Sequence, residues 1–365
     1  MVIRNATLPD GRVRDVRIDP DSGRIDAVAE DLTAEETIEA EGYRLFPGMI
    51  DVHVHTREPG AEHKETWETA SRSAAAGGVT TIVDQPNSEP PTVDGPSYDQ
   101  KARIAKDSIV DYGINGGVLP DWDPDALFDR PLFALGEVFL ADSTGDMGIE
   151  DALFQNAVQR AADAGVVVTV HAEDASLFDE SVRDRQDADA WSAFRTAEAE
   201  AAAVDRAVTV ATDSAAQVHI AHTSTPEGID RASDAGLTTE VTPHHLLLSR
   251  EDLPDLGTYG RMNPPLRSEE RRAAVYERVV DGTVDVIATD HAPHTRDEKE
   301  GSIWDVASGV PGVETVLPLL LAEAKEGRLS YERVRDLTAA NPAAIFDLPH
   351  KGRIEGGRDA DLVLV

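Results

Sequence analysis

The sequence contains no cysteine, which excludes disulfide bonds and thiolate metal sites. It also lacks any run of about 18 apolar residues, and its N-terminus has no basic segment followed by an apolar one. We therefore expect a soluble protein that is not exported and stays in the cytoplasm. A bound metal ion would have to be held by histidine and carboxylate side chains.

Positive charge is scarce. The chain of 365 residues has 69 Asp and Glu against 34 Lys and Arg, which gives a formal net charge of −35. A surface of this sign repels polyanions, so we exclude nucleic acid and anionic membranes as partners. The acidic residues are spread along the chain, which is typical of a protein adapted to high salt, where screening reduces self-repulsion.

Short apolar segments alternate with helical patterns through most of the chain. This alternation predicts parallel βα units, and eight of them predict a closed (β/α)8 barrel of the α/β class. The predicted strands are residues 49–55, 79–85, 110–116, 134–140, 166–171, 218–222, 238–242 and 284–289. The predicted helices include 64–76, 149–164, 191–211, 268–281, 313–326 and 331–340.

Both ends of the chain lie outside the barrel pattern. Residues 1–46 predict short strands joined by hairpin turns, too few to bury a core alone. The apolar segment 360–365 is a candidate partner for them. We therefore predict that 1–46 begins a small sandwich-like β domain, that 47–345 forms the barrel, and that 346–365 returns to the small domain.

Polar side chains fall at the C-terminal ends of the predicted strands, where the active site of such a barrel lies. His53 and His55 end the first strand and point to the same face, because side chains two residues apart share a face. One histidine alone is more often an ordinary imidazole than a ligand, but several in register favour a metal site. The other candidate ligands are Glu137 within the fourth strand, His171 and His222 at the ends of the fifth and sixth, and Asp290 just after the eighth.

Four imidazoles and two carboxylates are more than one tetrahedral Zn²⁺ uses. They would suit two ions roughly 3.5–4 Å apart with a carboxylate between them. A metal-activated hydroxide would then attack a carbonyl, and Asp290 could accept its proton and pass it to a leaving nitrogen. The residues thus predict a hydrolase that uses one or two Zn²⁺ ions, with Mn²⁺ or Co²⁺ as alternatives.

Several motifs are weak one by one and specific as a combination. They are residues 47–60, 63–65, 77–81, 86–88, 90–91, 171–173, 219–224, 242–246, 263–267, 290–294, 298–299 and 308–312. Together they cover nearly the whole chain, and they resemble the amidohydrolase superfamily and, within it, the dihydroorotases of the multifunctional-type class.

The resemblance implies the reversible interconversion of L-dihydroorotate and N-carbamoyl-L-aspartate in de novo pyrimidine biosynthesis. By position, it implies that His53, His55, His171, His222 and Asp290 bind metal, and that Asp290 is the general base and acid. It further implies a group that holds the substrate carboxylate, in which an arginine offers a planar fork. These implied substrate contacts are Arg57, Asn87 and His294, with Asn263 touching the pyrimidine ring.

The sequence departs from the family in two places. Glu137 stands where many members carry a carboxylated lysine, and no lysine lies between Lys106 and Lys299. We hypothesise that Glu137 supplies the bridging oxygens itself; the alternative is a one-metal site that Glu137 supports without binding the ion. In addition, family members usually run on past the segment that matches 359–365.

Two other functions stay open. The nearest is another cyclic amidohydrolase, an allantoinase or a hydantoinase/dihydropyrimidinase, although these usually keep the lysine and lack motifs 86–88 and 290–294 in this form. The other is an inactive dihydroorotase-like scaffold for a partner enzyme, which the retained histidines and Asp290 argue against. Candidate partners are a small-molecule substrate, a second copy in a homodimer, and aspartate transcarbamoylase.

Overall fold

The computed structural model describes residues 1–143 and 147–365, within which no helix has the length and apolar character to cross a membrane. The strands are β1 (Val2–Thr7), β2 (Val13–Asp19), β3 (Arg24–Ala29), β4 (Thr37–Glu39), β5 (Leu45–Pro47), β6 (Met49–Val54), β7 (Val79–Asp84), β8 (Asp111–Ile114), β9 (Leu135–Phe139), β10 (Val168–His171), β11 (Val218–Ile220), β12 (Thr238–Val241), β13 (Val286–Ile287) and β14 (Leu362–Leu364).

The helices lie mainly between the strands from β6 onward. They are α1 (Trp67–Ala76), α2 (Gly95–Ile104), α3 (Pro124–Phe128), α4 (Asp151–Ala164), α5 (Ala190–Phe194), α6 (Ala197–Ser214), α7 (Pro226–Asp234), α8 (Pro243–Leu247), α9 (Leu253–Leu256), α10 (Glu269–Asp281), α11 (Arg296–Lys299), α12 (Val316–Lys325), α13 (Tyr331–Arg335) and α14 (Asn341–Ile345). Short 3₁₀ turns cover Ala105–Asp107, Ala175–Leu177, Glu180–Val182, Arg250–Asp252 and Gly257–Gly260, and a π turn covers Asp336–Ala340.

Strands β6 to β13 form a closed parallel barrel. Strands β6, β7 and β8 pair in that order, and β9 to β13 pair in sequence order. Parallel bridges between Gly116 and Leu135, and between Val54 and His291, join the two sheets at both edges. Each observed strand lies within its predicted bounds, so the predicted (β/α)8 barrel is confirmed.

Amphipathic helices cover the barrel. Helix α4 buries Phe154, Ala157, Val158 and Ala161, which recur at the three- and four-residue spacing of one helix face. Gly165 then ends the helix with φ at 69°, a left-handed conformation that glycine adopts without steric cost. This agrees with the prediction of a helix over 149–164.

The prediction of one helix over 191–211 is wrong. The chain forms α5, leaves helical geometry at Arg195, and restarts as α6. Thr196 caps the new helix, since its side chain accepts the N–H of Ala199 at 3.1 Å. The interruption lets the buried Arg195 side chain turn inward, toward a carboxylate described below.

Both chain ends contribute to small β sheets. The N-terminal strands pair in the order β3-β2-β1-β4, and β14 pairs antiparallel with β5. Ile3, Val16, Ile25 and Leu45 share one apolar cluster, against which Leu362 packs. Strand β4 was not predicted, because its three residues are all exposed and give no alternating pattern. The small β domain is confirmed as part of the fold class; the boundaries at 46/47 and 345/346 stay predictions.

A buried ion pair fixes the chain just after β6. Lys101 of α2 is fully buried and donates to Asp84 Oδ2 at 2.6 Å and to the carbonyl of Gln85 at 2.8 Å. The other carboxylate oxygen of Asp84 accepts the N–H of Thr56 at 2.7 Å. The pair therefore ties α2 and β7 to the segment that carries Arg57, whose φ of 66° lies in the left-handed region.

We predict that Lys101→Met lowers the free energy of unfolding by about 3–5 kcal/mol, because it leaves the buried carboxylate of Asp84 without its counter-charge. Denaturant unfolding at constant salt measures the change. Lys106→Met removes an exposed lysine from the adjacent turn and should change stability by less than about 0.5 kcal/mol. Equal losses in the two variants would refute the role given to the ion pair.

Candidate metal centre and active-site cavity

Four buried imidazoles converge at the C-terminal mouth of the barrel. The ring centroids of His53 and His55 lie 5.4 Å apart, as expected for alternate residues on one strand face. His53 and His222 are 5.1 Å apart, and His171 and His222 are 4.6 Å apart. Residues from three separate strand ends therefore meet in one cluster.

Two overlapping groups of potential ligand atoms lie in this cluster. His53, His55 and Asp290 offer atoms that are all within 4.8 Å of one another, and so do His53, Glu137 and His222. In the first group, Asp290 Oδ1 lies 3.0 Å from His55 Nε2 and 3.6 Å from His53 Nε2. His53 belongs to both groups, so the two potential metal sites are adjacent.

The carboxylate of Glu137 lies between the imidazoles. Its Oε1 atom is 2.8 Å from His171 Nδ1 and 2.6 Å from His222 Nε2. Its Oε2 atom is 3.3 Å from His53 Nε2. The two oxygens of one side chain thus face different histidines, and Glu137 is buried with them.

In three imidazoles, the ring nitrogen that faces away from the cluster is hydrogen-bonded to a side-chain oxygen. Each such oxygen belongs to a carboxylate or a side-chain amide, which accepts a hydrogen bond from the ring N–H. The neutral ring is thereby fixed as the tautomer whose lone pair points into the cluster, the arrangement found around metal-binding histidines. The pairs are His53 Nδ1 with Glu240 (2.5 Å), His55 Nδ1 with Asn87 (2.7 Å) and His171 Nε2 with Glu173 (2.9 Å).

Two imidazole nitrogens in the cluster are buried without a hydrogen-bond partner, His53 Nε2 and His222 Nδ1. A buried polar atom without a partner is costly, so such an atom in a polar cluster indicates a missing ligand. His53 Nε2 lies where the two groups of potential ligands meet. Nitrogen and carboxylate donors suit Zn²⁺ and related divalent ions, so these residues fit a metal site.

The cluster favours positive charge. Burial alone would raise the pKa of Glu137, but the neighbouring His53 and His222 hold it well below its usual range. The pKa of Asp290 is lowered in the same way, because His55 and His53 outweigh burial. Burial would lower the pKa of His171, yet its carboxylate partners raise it to about 9. The carboxylates are therefore ionised at neutral pH, as metal ligands must be.

Sequence reasoning missed the groups that orient these imidazoles. Glu240 on β12 accepts from His53, from His219 Nε2 at 3.2 Å and from the backbone N–H of His222 at 3.1 Å. That last bond holds His222 at φ 32°, a left-handed conformation rare outside glycine. The signal for Glu240 was a charged residue inside an otherwise buried strand.

The pair of Glu173 and Arg195 is the second group that orients an imidazole, that of His171. Arg195 Nε lies 3.0 Å and 3.1 Å from the two oxygens of Glu173, and its Nη2 atom lies 2.5 Å from Oε2. Burial opposes ionisation, but Arg195 and His171 hold the pKa of Glu173 well below its usual range. Arg195 therefore keeps charged the carboxylate that orients His171.

A cavity opens beside the cluster. Arg57, Asn87 and Asn263 line it, together with Glu137 and Asp290. His294 lies behind this lining, where its Nε2 atom is 3.2 Å from Arg57 Nη2. The structure thus brings the predicted substrate contacts to the same place as the predicted metal ligands.

Asn263 is held by two side-chain hydrogen bonds. Its Oδ1 atom accepts from Trp191 Nε1 at 2.9 Å, and its Nδ2 atom donates to Ser143 Oγ at 3.1 Å. Trp191 therefore orients a residue that lines the cavity, in addition to packing against Phe194 and Trp304.

The chain belongs to the amidohydrolase family, whose sequence model matches residues 44–365. Among named relatives, it is 67% identical to the dihydroorotase of Halobacterium salinarum over 366 aligned residues, which cover 100% of this chain and 86% of that protein. It is 40% identical to the dihydroorotase of Methanosarcina mazei, with 94% of this chain and 80% of that protein covered. The first relative agrees with the high-salt adaptation predicted from the charge.

Other cyclic amidohydrolases are similar as well. An allantoinase of Rubrobacter xylanophilus is 35% identical, with 100% of this chain and 85% of that protein covered. Among solved structures, an L-hydantoinase (dihydropyrimidinase) from Arthrobacter aurescens superposes with a TM-score of 0.94 at 28% identity, covering 99% of this chain and 86% of that one. These likenesses confirm the barrel fold with its small β domain.

We predict that Glu240→Gln weakens metal binding about 10–100-fold, since an amide has one acceptor oxygen and cannot serve both His53 and His219. Competition with a chelator of known affinity measures the change, and circular dichroism checks the fold. Glu251→Gln, at an exposed carboxylate, is the matched control and should leave metal affinity unchanged. Unaltered affinity in Glu240→Gln would show that the cluster does not depend on this orienting group.

Proposed function

We propose that this protein acts as a dihydroorotase and catalyses the reversible hydrolysis of L-dihydroorotate to N-carbamoyl-L-aspartate in pyrimidine biosynthesis. The observation that carries the proposal is the 67% identity to a dihydroorotase over the whole chain. A complete cluster of imidazoles and carboxylates at the barrel mouth supports it, because amide hydrolysis needs an activated water and a proton carrier.

The proposed ligands are His53, His55, Glu137, His171, His222 and Asp290. We propose Zn²⁺ as the ion, at one or two per chain, with Mn²⁺ or Co²⁺ as alternatives that the same donors would accept. When bound, such an ion lowers the pKa of water and polarises a carbonyl. Glu137 is proposed to bridge two ions, which its position between His53 on one side and His171 and His222 on the other supports.

Asp290 is the proposed general base and acid. Its carboxylate lines the cavity. Its lowered pKa keeps it ionised at neutral pH, which is the form that can accept a proton. As water adds to the ring carbonyl of dihydroorotate, Asp290 would take the proton from that water. It would then deliver the proton to the ring nitrogen while the carbon–nitrogen bond breaks, which yields the open-chain product.

Arg57, Asn87 and His294 are proposed to hold the substrate carboxylate, and Asn263 to contact the pyrimidine ring. The Oδ1 atom of Asn87 already accepts from His55, so its Nδ2 amide is the group that faces a ligand as a donor. Arg57 adds a guanidinium at the cavity wall, where a carboxylate can pair with its planar fork.

Another cyclic amidohydrolase activity is the alternative, and the allantoinase and hydantoinase likenesses favour it. The identity to the allantoinase is 35% against 67% to the dihydroorotase, so we rank it second. An inactive scaffold is ranked lower, because the ligand set is complete.

We also propose a cytoplasmic location, a homodimer and association with aspartate transcarbamoylase as further points for direct test.

We predict turnover of L-dihydroorotate in high salt by the metal-loaded protein, and loss of about 10²–10⁴-fold in kcat in Asp290→Asn, which has no carboxylate to carry the proton. A coupled spectrophotometric assay measures both. Asp297→Asn alters an exposed carboxylate on the same mouth loop and should leave kcat unchanged. Turnover of allantoin or dihydrouracil with none of dihydroorotate would reject the proposed substrate.

We predict that Glu137→Ala reduces the metal content from about two ions per chain to one or none, since the bridging carboxylate is gone. Elemental analysis after gel filtration measures the stoichiometry. Glu150→Ala removes an exposed carboxylate and serves as the control. If Glu137→Ala keeps the wild-type stoichiometry, Glu137 does not bridge.

A further inference from the structure

Lys64 joins two loops at the rim of the cavity. It belongs to motif 63–65, which follows β6, and its Nζ atom reaches His294 and Glu298 on the loop after β13. The Nζ atom lies 3.2 Å from His294 Nδ1 and 3.0 Å from Glu298 Oε1. The His294 side chain is 2% exposed and that of Lys64 16%, so the contact is largely shielded from water.

These contacts fix where the proton of His294 lies. An ammonium group only donates, so His294 Nδ1 must accept from Lys64. On the other side of the ring, Nε2 is 2.8 Å from the carbonyl oxygen of Ser308, which only accepts. The proton is therefore on Nε2. Burial, together with the cations Arg57 and Lys64, lowers the pKa of His294 to about 3, so the ring is neutral.

This tautomer decides whether Arg57 is available to a ligand. Arg57 Nη2 lies 3.2 Å from His294 Nε2, and both atoms carry hydrogen, so His294 does not accept from Arg57. The Nε2–H of His294 is already donated to the Ser308 carbonyl, which leaves the Nη2 donor of Arg57 free for a carboxylate oxygen. In the opposite tautomer, His294 Nε2 would accept the hydrogen bond from Arg57 Nη2. That N–H of Arg57 would then no longer be available to a ligand.

We propose that Lys64 is a positioning residue that holds His294 as the Nε2–H tautomer and thereby leaves the Nη2 donor of Arg57 free for a carboxylate. The anion is the substrate carboxylate, and this part rests on the proposed function. Lys64 acts through His294 and does not touch the reacting atoms. Glu298 balances its charge and keeps its ammonium beside the ring.

Kinetics and NMR together test the proposal. Lys64→Met keeps the apolar stem and removes the donor, so KM for dihydroorotate should rise about tenfold while kcat stays within about twofold, as expected for one lost hydrogen bond in substrate binding. Lys64→Arg restores a donor and a charge, and should recover most of the affinity. Lys106→Met is the matched control, since it removes the same charge from an exposed site and should leave both constants unchanged.

Long-range ¹H–¹⁵N spectra of the protein labelled with ¹⁵N-histidine report the tautomer without any substrate. His294 is assigned from the signal lost in His294→Gln. We expect an Nε2–H ring in the wild type and a mixture of tautomers in Lys64→Met. A raised KM in Lys64→Met with an unchanged tautomer would overturn the proposal, because Lys64 would then bind substrate directly. An unchanged KM in this variant would overturn it as well. A wild-type protein that does not turn over dihydroorotate would reject the proposed function, while the spectra would still test the role of Lys64.

Discussion

The site depends on hydrogen bonds that lie outside it. Each of His53, His55 and His171 has its outer nitrogen held by a side-chain oxygen, which turns the other nitrogen toward the centre of the cluster. An imidazole that was free to flip would present an N–H to a cation as often as a lone pair. The barrel brings the strand ends together, but the outer acceptors decide that the cluster can bind a metal ion. Arg195 in turn keeps one of those acceptors, Glu173, ionised.

Several of the positive charges of the chain lie at specific places in and around the site. A chain with net charge −35 would repel an anionic substrate at long range, although salt screens this repulsion beyond about 10 Å. Close to the cavity, two cations are available to an anion, Arg57 at its wall and Lys64 at its rim. Two further lysines act inside the protein. Lys101 pairs with Asp84. Lys299 donates to the carbonyls of Ala307 and Gly309, which flank Ser308, and to the carbonyl of Arg261.

Local patterns were enough to predict the barrel and the positions of its candidate ligands. Apolar runs gave each strand. Strand ends gave the four histidines, while Glu137 was a charged residue within a strand and Asp290 followed one. What the sequence did not reveal depends on contacts between distant segments. Glu240 meets His53 across 187 positions, and nothing near either residue indicates that contact. The break at Arg195 was missed because its cause is the distant Glu173 and not a local helix breaker. Strand β4 was missed because it is exposed along its whole length.

The central proposal is that the carboxylate of Glu137 joins the two halves of a metal site. A crystal structure of the metal-loaded protein in high salt, with anomalous scattering recorded at the metal edge, tests this directly. The account predicts two anomalous peaks roughly 3.5–4 Å apart. One Glu137 oxygen should lie about 2.1 Å from each ion, with His55 beside one and His171 beside the other. A single peak with the Glu137 carboxylate turned away from it would contradict the account.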